Sequence, residues 1–185
     1  NTKFTSEIEV SDIIQSDLSH AAGLAVEVFL NKLAYYKGQP LRLFDGVLLD
    51  EIDVEISDYH VNSDLLKMDL EPDGEVVEET LYSNLLKSNC LVTGQPDWAS
   101  VQIKYTGRKI NHSSLLKYLI SYRNHNGFHE DCIEHIFIDI LEKCKPQELT
   151  VYAKYTRRGG VDINPFRTNL DLKNTEIIKI RDVRQ

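Results

Sequence analysis

The stretch that decides the fold is EVVEETLYSNLLKSNCLVTGQPDWASVQIKY, residues 75–105. Residues 75–86 are typical of an extended segment. In residues 99–105 apolar and polar side chains alternate, which is the pattern of a β-strand with one buried face. Gly94 and Pro96 lie between these runs and mark a tight turn. The stretch therefore predicts two neighbouring strands whose connecting turn carries a cysteine and an aspartate.

Two helices and further strands are predicted downstream of this turn. Apolar residues recur there at helical spacing, with Asn111 or Ser113 as the cap of the first helix. A later run is rich in β-branched and aromatic residues, which favour strands. The helices are predicted at residues 113–123 and 129–143, and the strands at residues 149–157 and around residues 176–181.

Strands that flank a pair of helices indicate an α+β fold, in which an antiparallel sheet is covered on one face by two helices. Upstream, residues 7–20 show the spacing of an amphipathic helix with Ser6 as its N-cap. Residues 24–30 read as a buried strand, and residues 49–57 alternate apolar and acidic side chains as a half-buried strand does.

Composition narrows the function classes. The chain has 185 residues, 42% hydrophobic residues and a net charge of −8, so it is a poor non-specific binder of nucleic acid. Three cysteines argue against a disulfide scaffold and for a reducing compartment. No apolar run approaches the roughly 20 residues needed to span a bilayer. The basic segment 157–160, Arg-Arg-Gly-Gly, could hold an anion such as a phosphate.

Cys90 and Asp97 are the first candidates for chemistry. A cysteine is most often a small buried hydrophobe, and an aspartate after a proline often serves only the turn. Cys90, however, follows three polar residues beside a turn, where partial exposure and a nearby cation would make its thiol nucleophilic. If the turn folds back, Asp97 faces the same pocket and could deliver a proton.

The segment NHNGFHEDC, residues 124–132, supplies the second candidate group. His129 and Glu130 open a helix there. Glu130 either complements the helix dipole or accepts hydrogen bonds from the N–H groups of a purine-like ligand. Ligands at positions 129, 132 and 135 cannot converge on one metal ion from a regular helix, which argues against a zinc site. Tyr152, Tyr155 and Phe166 are interpreted as sheet or core aromatics, with base stacking as the alternative.

Three segments together resemble a known family. They are EVVEETLYSNLLKSNCLVTGQPDWASVQIKY (75–105), YLISYRNHNGFHEDCIEHIF (118–137) and VYAKYTRRGGVDINPFRTN (151–169). In this order they are similar to the long, two-module form of the 7-cyano-7-deazaguanine reductases, the NADPH-dependent nitrile reductases of queuosine biosynthesis. The likeness covers essentially the whole chain.

The resemblance implies a tunnelling-fold and a set of roles. Cys90 would add to the nitrile carbon as a covalent thioimide, and Asp97, which must then be protonated, would act as the general acid. His129 and Glu130 would bind the substrate, with Glu130 on the guanine-like edge. Arg158 and Gly159 would contact NADPH. The resemblance also implies a cytoplasmic homodimer with no membrane partner and no direct nucleic-acid partner.

One motif of the family is not found. The family carries a Glu-Ser-Lys-Ser-hydrophobic-Lys motif for NADPH, and residues 1–4 resemble the segment just after it. We therefore expect the chain to lack the N-terminal part of the two-module form. Residues 1–45 would be the tail of the first module, a helix plus a strand, and residues 46–185 the second, catalytic module. The alternatives are a non-catalytic deazapurine-binding or assembly fragment, and a zinc-dependent pterin-type enzyme of the same fold class.

Overall fold

The computed structural model describes residues 2–69, 75–171 and 181–185. The chain divides into two units, Asn1–Pro40 and Leu41–Gln185. Of the predicted segments, most of the strand expected around residues 176–181 lies outside the described residues.

Helix α1, Glu7–Ala22, is the main element of the first unit. Its N-cap is Ser6, whose hydroxyl accepts a hydrogen bond from the Glu9 N–H at 3.1 Å, as predicted. Gly23 ends the helix in the left-handed conformation, with φ at 68°. None of residues 2–40 is buried.

The strand predicted at residues 24–30 is wrong, because this segment has no regular secondary structure in the described chain. A short 3-10 helix, Leu33–Tyr36, follows it. An apolar run indicates only that its side chains favour burial. A strand also needs a hydrogen-bonded neighbour, and residues 2–40 contain no second strand that could pair with it.

In its described residues, the second unit contains a five-stranded sheet of order β2-β3-β4-β5-β6 and two α-helices. All its pairs are antiparallel except the parallel pair of β2 with β3, and β1 pairs separately with β7. The elements are β1 (Leu41–Arg42), β2 (Val47–Leu48), β3 (Val76–Asn89), β4 (Pro96–Arg108), α2 (His112–Ser121), α3 (His129–Cys144), β5 (Glu148–Tyr155), β6 (Phe166–Thr168) and β7 (Arg181–Asp182).

Both helices of the second unit share one core with one face of the sheet. Alternate residues of β4 are fully buried or nearly so, while Lys104 between them is exposed. The prediction of an α+β fold with two helices on one face is confirmed. The core residues of β4, α2 and α3 are Ala99, Val101, Ile103, Tyr105, Leu115, Leu116, Leu119, Ile133, Ile136 and Ile140.

The hairpin of β3 and β4 contains a register shift that determines which side chains of β3 lie beside the candidate site. Ser83 pairs with Val101, but Leu86 pairs with Ala99, so β3 carries one extra residue. A carboxylate holds this bulge: Asp50 accepts hydrogen bonds from the Ser83 hydroxyl at 2.6 Å and from the backbone N–H of Asn84 at 3.1 Å. Beyond the bulge, alternate side chains of β3 change face.

The strand predicted at residues 49–57 is also wrong, although its burial pattern is observed. Ile52, Val54 and Ile56 are half-buried against the core, and the acidic residues between them are exposed. The segment makes no strand ladder. Alternation of side chains therefore occurs here in an extended chain that lies on the core without joining the sheet.

Candidate active site

Cys90 lies at the base of the β3–β4 connection and is partly exposed. Its backbone N–H donates to the Gln95 carbonyl at 2.8 Å, and its own carbonyl accepts from the Gly94 N–H at 2.9 Å. Gly94 has φ at 67°, a conformation that glycine adopts without steric cost. These bonds close a tight loop over residues 91–94 and hold the cysteine at a fixed place beside the end of the sheet.

The surroundings of the Cys90 thiol favour the thiolate. A hydrogen bond from the Thr93 hydroxyl, then the backbone N–H groups of Thr93 and Val92, and then Arg158 lower the pKa of Cys90 to about 7. Arg158 Nη2 is 3.7 Å from the sulfur. A substantial fraction of the thiol is therefore ionised at neutral pH, which makes Cys90 a nucleophile.

Asp97 is the second residue of β4 and lies directly opposite Ser88 of β3. Although it follows a proline, it belongs to the strand rather than to the turn. Its side chain is only 3% exposed. Arg158 Nη1 donates to one carboxylate oxygen at 3.0 Å, and His129 Nε2 lies 3.1 Å from the other. Arg158 thus joins the aspartate to the cysteine.

His129 is the first residue of α3, and the loop before it is fixed to the end of β3. The Asn89 N–H donates to the His125 carbonyl at 2.8 Å, and the Gly127 N–H donates to the Asn89 carbonyl at 3.1 Å. A Cβ atom on Gly127 would lie 2.8 Å from His125 Nε2, so only glycine allows this close approach without a shift. The start of α3 is thereby placed next to Asp97.

The His129 ring stacks on Tyr155, with ring centroids 3.8 Å apart and planes 5° apart. Its Nδ1 atom is buried and has no hydrogen-bond partner among the described residues. Tyr155 is fully buried at the end of β5. The histidine is therefore held by the Asp97 carboxyl group on one ring edge and by an aromatic ring on one face.

Four of the six predicted site residues come together: Cys90, Asp97, His129 and Arg158. Glu130 is exposed, and its carboxylate makes no hydrogen bond or ion pair with a described residue. Gly159 lies in the turn next to Arg158 and touches none of the reacting groups.

That turn joins Arg158 to Val161 through two backbone hydrogen bonds of 3.0 Å. Gly159 and Gly160 both have positive φ, 58° and 83°, as the two central residues of a type I′ turn require. A Cβ atom on either glycine would meet no atom within 4 Å. The turn is therefore open on its glycine side.

Sequence reasoning missed two contributors. The sequence pattern gave no role to Thr93, although its hydroxyl is the largest influence on the Cys90 thiol. Tyr155 was interpreted as a sheet aromatic, although it stacks on His129. The strand register could have indicated that Tyr155 lies near the site. Tyr155 pairs with Ala99, which follows Asp97 by two residues and lies on the same face of β4.

Within residues 2–69, 75–171 and 181–185, no three His, Cys, Asp or Glu side chains are grouped so that they could hold a metal ion. Over the same residues, the chain forms no helix with the length and apolar character that a membrane span needs.

Comparison with known proteins identifies the family. The family of QueF-like proteins matches residues 96–174. A reductase of Legionella pneumophila (strain Lens), named NADPH-dependent 7-cyano-7-deazaguanine reductase, is 53% identical over 184 residues, which are 97% of this chain and 63% of that protein. A protein of the same name from Cupriavidus pinatubonensis is 55% identical over 170 residues, 92% of this chain and 61% of that protein.

A solved structure, the archaeosine synthase QueF-Like in the apo form, is 19% identical and covers 50% of this chain with a TM-score of 0.44.

The chain belongs to the QueF-like family, and its resemblance to the 7-cyano-7-deazaguanine reductases is confirmed. The tunnelling-fold class is confirmed with it, by the family match and the observed sheet and helices. The chain spans less than two thirds of the length of the curated relatives that it matches.

Proposed function

We propose that the chain provides the thiol and the acid for reduction of the nitrile of 7-cyano-7-deazaguanine to a primary amine with two NADPH, in tRNA queuosine biosynthesis. The observation that carries the proposal is the cluster of Cys90, Asp97 and Arg158, with a thiol pKa of about 7 beside a buried carboxylate. The names of the relatives supply the substrate and the cofactor.

The first step uses groups of this chain alone. The Cys90 sulfur forms a bond to the nitrile carbon, and one π bond of the carbon–nitrogen triple bond breaks towards nitrogen. Asp97 takes up the proton that the Cys90 thiol loses and passes it to the nitrogen, so a neutral thioimide results and the carboxylate is restored. A thiolate suits this step because a nitrile carbon is a weak electrophile.

Substrate binding would fall to His129 and Glu130. The Glu130 carboxylate has no partner among the described residues and is free to accept N–H groups from the guanine-like edge. His129 has one ring nitrogen, Nδ1, without a hydrogen-bond partner among the described residues, while its Nε2 lies 3.1 Å from Asp97. A carboxylate is an acceptor that matches the paired N–H groups of a guanine edge.

Arg158 and Gly159, with Arg157, would hold a phosphate of NADPH. The turn fits such a group because it presents guanidinium charge beside two glycines with open space around them. When bound, NADPH supplies hydride to the former nitrile carbon, in two equivalents. The chain's own groups would hold the carbon on sulfur, deliver protons to nitrogen, and regain the Cys90 thiolate when the carbon–sulfur bond breaks to release the product.

Organisation and location are part of the same proposal. Residues 46–185 form the catalytic module, since every proposed site residue lies in them, and residues 1–45 are the tail of a preceding module. The three thiols are free, which supports a reducing compartment such as the cytoplasm. A homodimer is expected, and light scattering of the purified chain measures it.

Intact-mass spectrometry tests the chemistry. The chain mixed with 7-cyano-7-deazaguanine and no NADPH should gain the mass of one substrate molecule, because thioimide formation loses no atoms. Cys90→Ala should abolish the adduct, whereas Cys144→Ala, which removes a buried thiol from the core, should keep it. If the wild-type chain forms no adduct, the chain is a binding or assembly fragment rather than the reacting module.

A further inference from the structure

The orientation of His129 is not fixed by the helix that carries it. His129 is the first residue of α3, and Phe128 caps the helix without any side-chain hydrogen bond. A side chain in a first helical turn has few neighbours on its own element. Two groups from other elements constrain the ring instead: Asp97 of β4 at Nε2, and Tyr155 of β5 on the ring face.

Tyr155 is held in a fixed position beside the His129 ring. Tyr155 is fully buried. It pairs with Ala99, and because the alanine side chain is small, the aromatic ring of Tyr155 has room beside it. Its backbone is held where β5 ends, since its carbonyl accepts from Gln185 Nε2 at 2.8 Å and the next N–H, of Thr156, donates to the Trp98 carbonyl at 2.8 Å. The ring therefore has little freedom to move.

We propose that Tyr155 is a positioning residue of the reaction: its ring holds the His129 imidazole in the plane in which Nε2 meets Asp97. The inference rests on the proposed function and deepens it, because it extends the site to a residue that touches neither the thiol nor the substrate. The contribution is the ring face, because the ring is what contacts His129, whereas the Tyr155 hydroxyl lies beside Ser88 and Cys132.

The charged and titratable groups that face His129 are few. Asp97 meets it from β4, Arg158 approaches the same carboxylate from the turn after β5, and Cys132 lies one turn further along α3. None of them restrains the tilt of the ring. The Tyr155 ring on which the imidazole stacks is called the aromatic platform below. Without this platform the imidazole would rotate away from Asp97. A misplacement of about 1 Å can lower a reaction rate roughly 100-fold.

Two variants of Tyr155 separate the ring from the hydroxyl. Tyr155→Phe keeps the stack and should leave the maximal rate of adduct formation within about threefold of wild type. Tyr155→Leu should lower that maximal rate by roughly 10- to 100-fold. The rate of Cys90 alkylation by iodoacetamide should stay unchanged in both, because Tyr155 does not touch the thiol. A merely structural loosening would change alkylation as well.

Tyr105→Leu is the matched control, since Tyr105 is a buried tyrosine on the same sheet face but pairs with Glu79 and lies far along β4 from Asp97. It should lose stability and keep the adduct rate within about threefold. An unchanged rate in Tyr155→Leu, or an equal loss in Tyr105→Leu, overturns the proposal.

Histidine-selective NMR keeps this test separate from that of the proposed function. The His129 ring protons should be shifted upfield by the Tyr155 ring in wild type and in Tyr155→Phe, and the shift should vanish in Tyr155→Leu. If wild type forms no adduct, the proposed function fails while the spectra still test the platform. If the upfield shift is missing in wild type, the platform itself is wrong.

Discussion

The Cys90 thiol draws its acidity from groups on two sides. Thr93 and the backbone N–H groups of its own loop act first, and Arg158, 68 residues later, adds a charge. Lys87, the nearest cation in sequence, instead donates to Asn89 and to the Arg123 carbonyl. The local sequence thus predicts an exposed thiol beside a turn. The cation that activates the thiol, Arg158, is brought close to it only because β5 pairs with β4.

Single substitutions should raise the pKa of Cys90 in a defined order. Thr93→Val removes the largest influence and Arg158→Gln a smaller one, so both should move the pKa upward from about 7, Thr93→Val further. Arg157→Gln is the control, because Arg157 pairs with Asp162 at 3.1 Å. At pH 7 the first two variants should react with iodoacetamide several-fold more slowly, since the thiolate is the reactive form.

The pH profile of alkylation measures this order. In wild type the rate should rise with pH and reach half its maximum near pH 7. An unchanged midpoint in both Thr93→Val and Arg158→Gln would show that the loop and the guanidinium do not act on the sulfur. A shifted midpoint in Arg157→Gln would show that general surface charge, rather than contact, is responsible.

At the scale of elements, the β3 bulge decides which side chains face the helices. Before the bulge Leu81 points into the core, and after it Leu86 and Ser88 do, so the core positions change from odd to even numbers. Without the extra residue, the end of β3 would present its opposite face beside Asp97. The sequence predicts both strands, but the bulge depends on Asp50, which is distant in sequence.

Asp50→Ala should destabilise the chain by about 2–3 kcal/mol, because it removes a carboxylate acceptor and leaves the Ser83 hydroxyl and the Asn84 N–H without it. The midpoint of urea unfolding measures the change. Asp53→Ala, an exposed acid three residues later, is the control and should stay within about 0.5 kcal/mol of wild type. Equal midpoints for the two variants would mean that the bulge needs no anchor.

At the scale of the whole molecule, the sequence predicted the helices and the long strands better than it predicted which extended segments join a sheet. Periodicity predicted α1, α2, α3 and β4, whereas β3 was predicted as an extended segment and β5 from its β-branched and aromatic residues. Residues 24–30 and 49–57 show strand-like patterns, yet neither becomes a strand. An extended segment becomes a strand only if the edge of a sheet is available to pair with it. The presence of such an edge depends on other parts of the chain.

The buried core should make the fold sensitive to alkali. Burial raises the pKa of Cys144 to about 11 and that of Cys132 above its ordinary value. Burial likewise raises the pKa values of the core tyrosines Tyr105, Tyr118, Tyr122 and Tyr155. The unfolded chain ionises these groups near pH 9 and pH 10, where the folded chain keeps their protons.

Stability is therefore fully present below pH 9 and falls as pH rises beyond it, more steeply above pH 10, by about 1.4 kcal/mol per pH unit for each buried tyrosine. Tyr155→Phe removes one of these buried hydroxyls, so it should reduce the slope between pH 10 and 11 by about that amount. Tyr35→Phe, at a tyrosine that is 64% exposed, should leave the slope unchanged. Urea midpoints at pH 8, 10 and 11 measure the slopes, and equal slopes for the two variants would contradict burial as the cause.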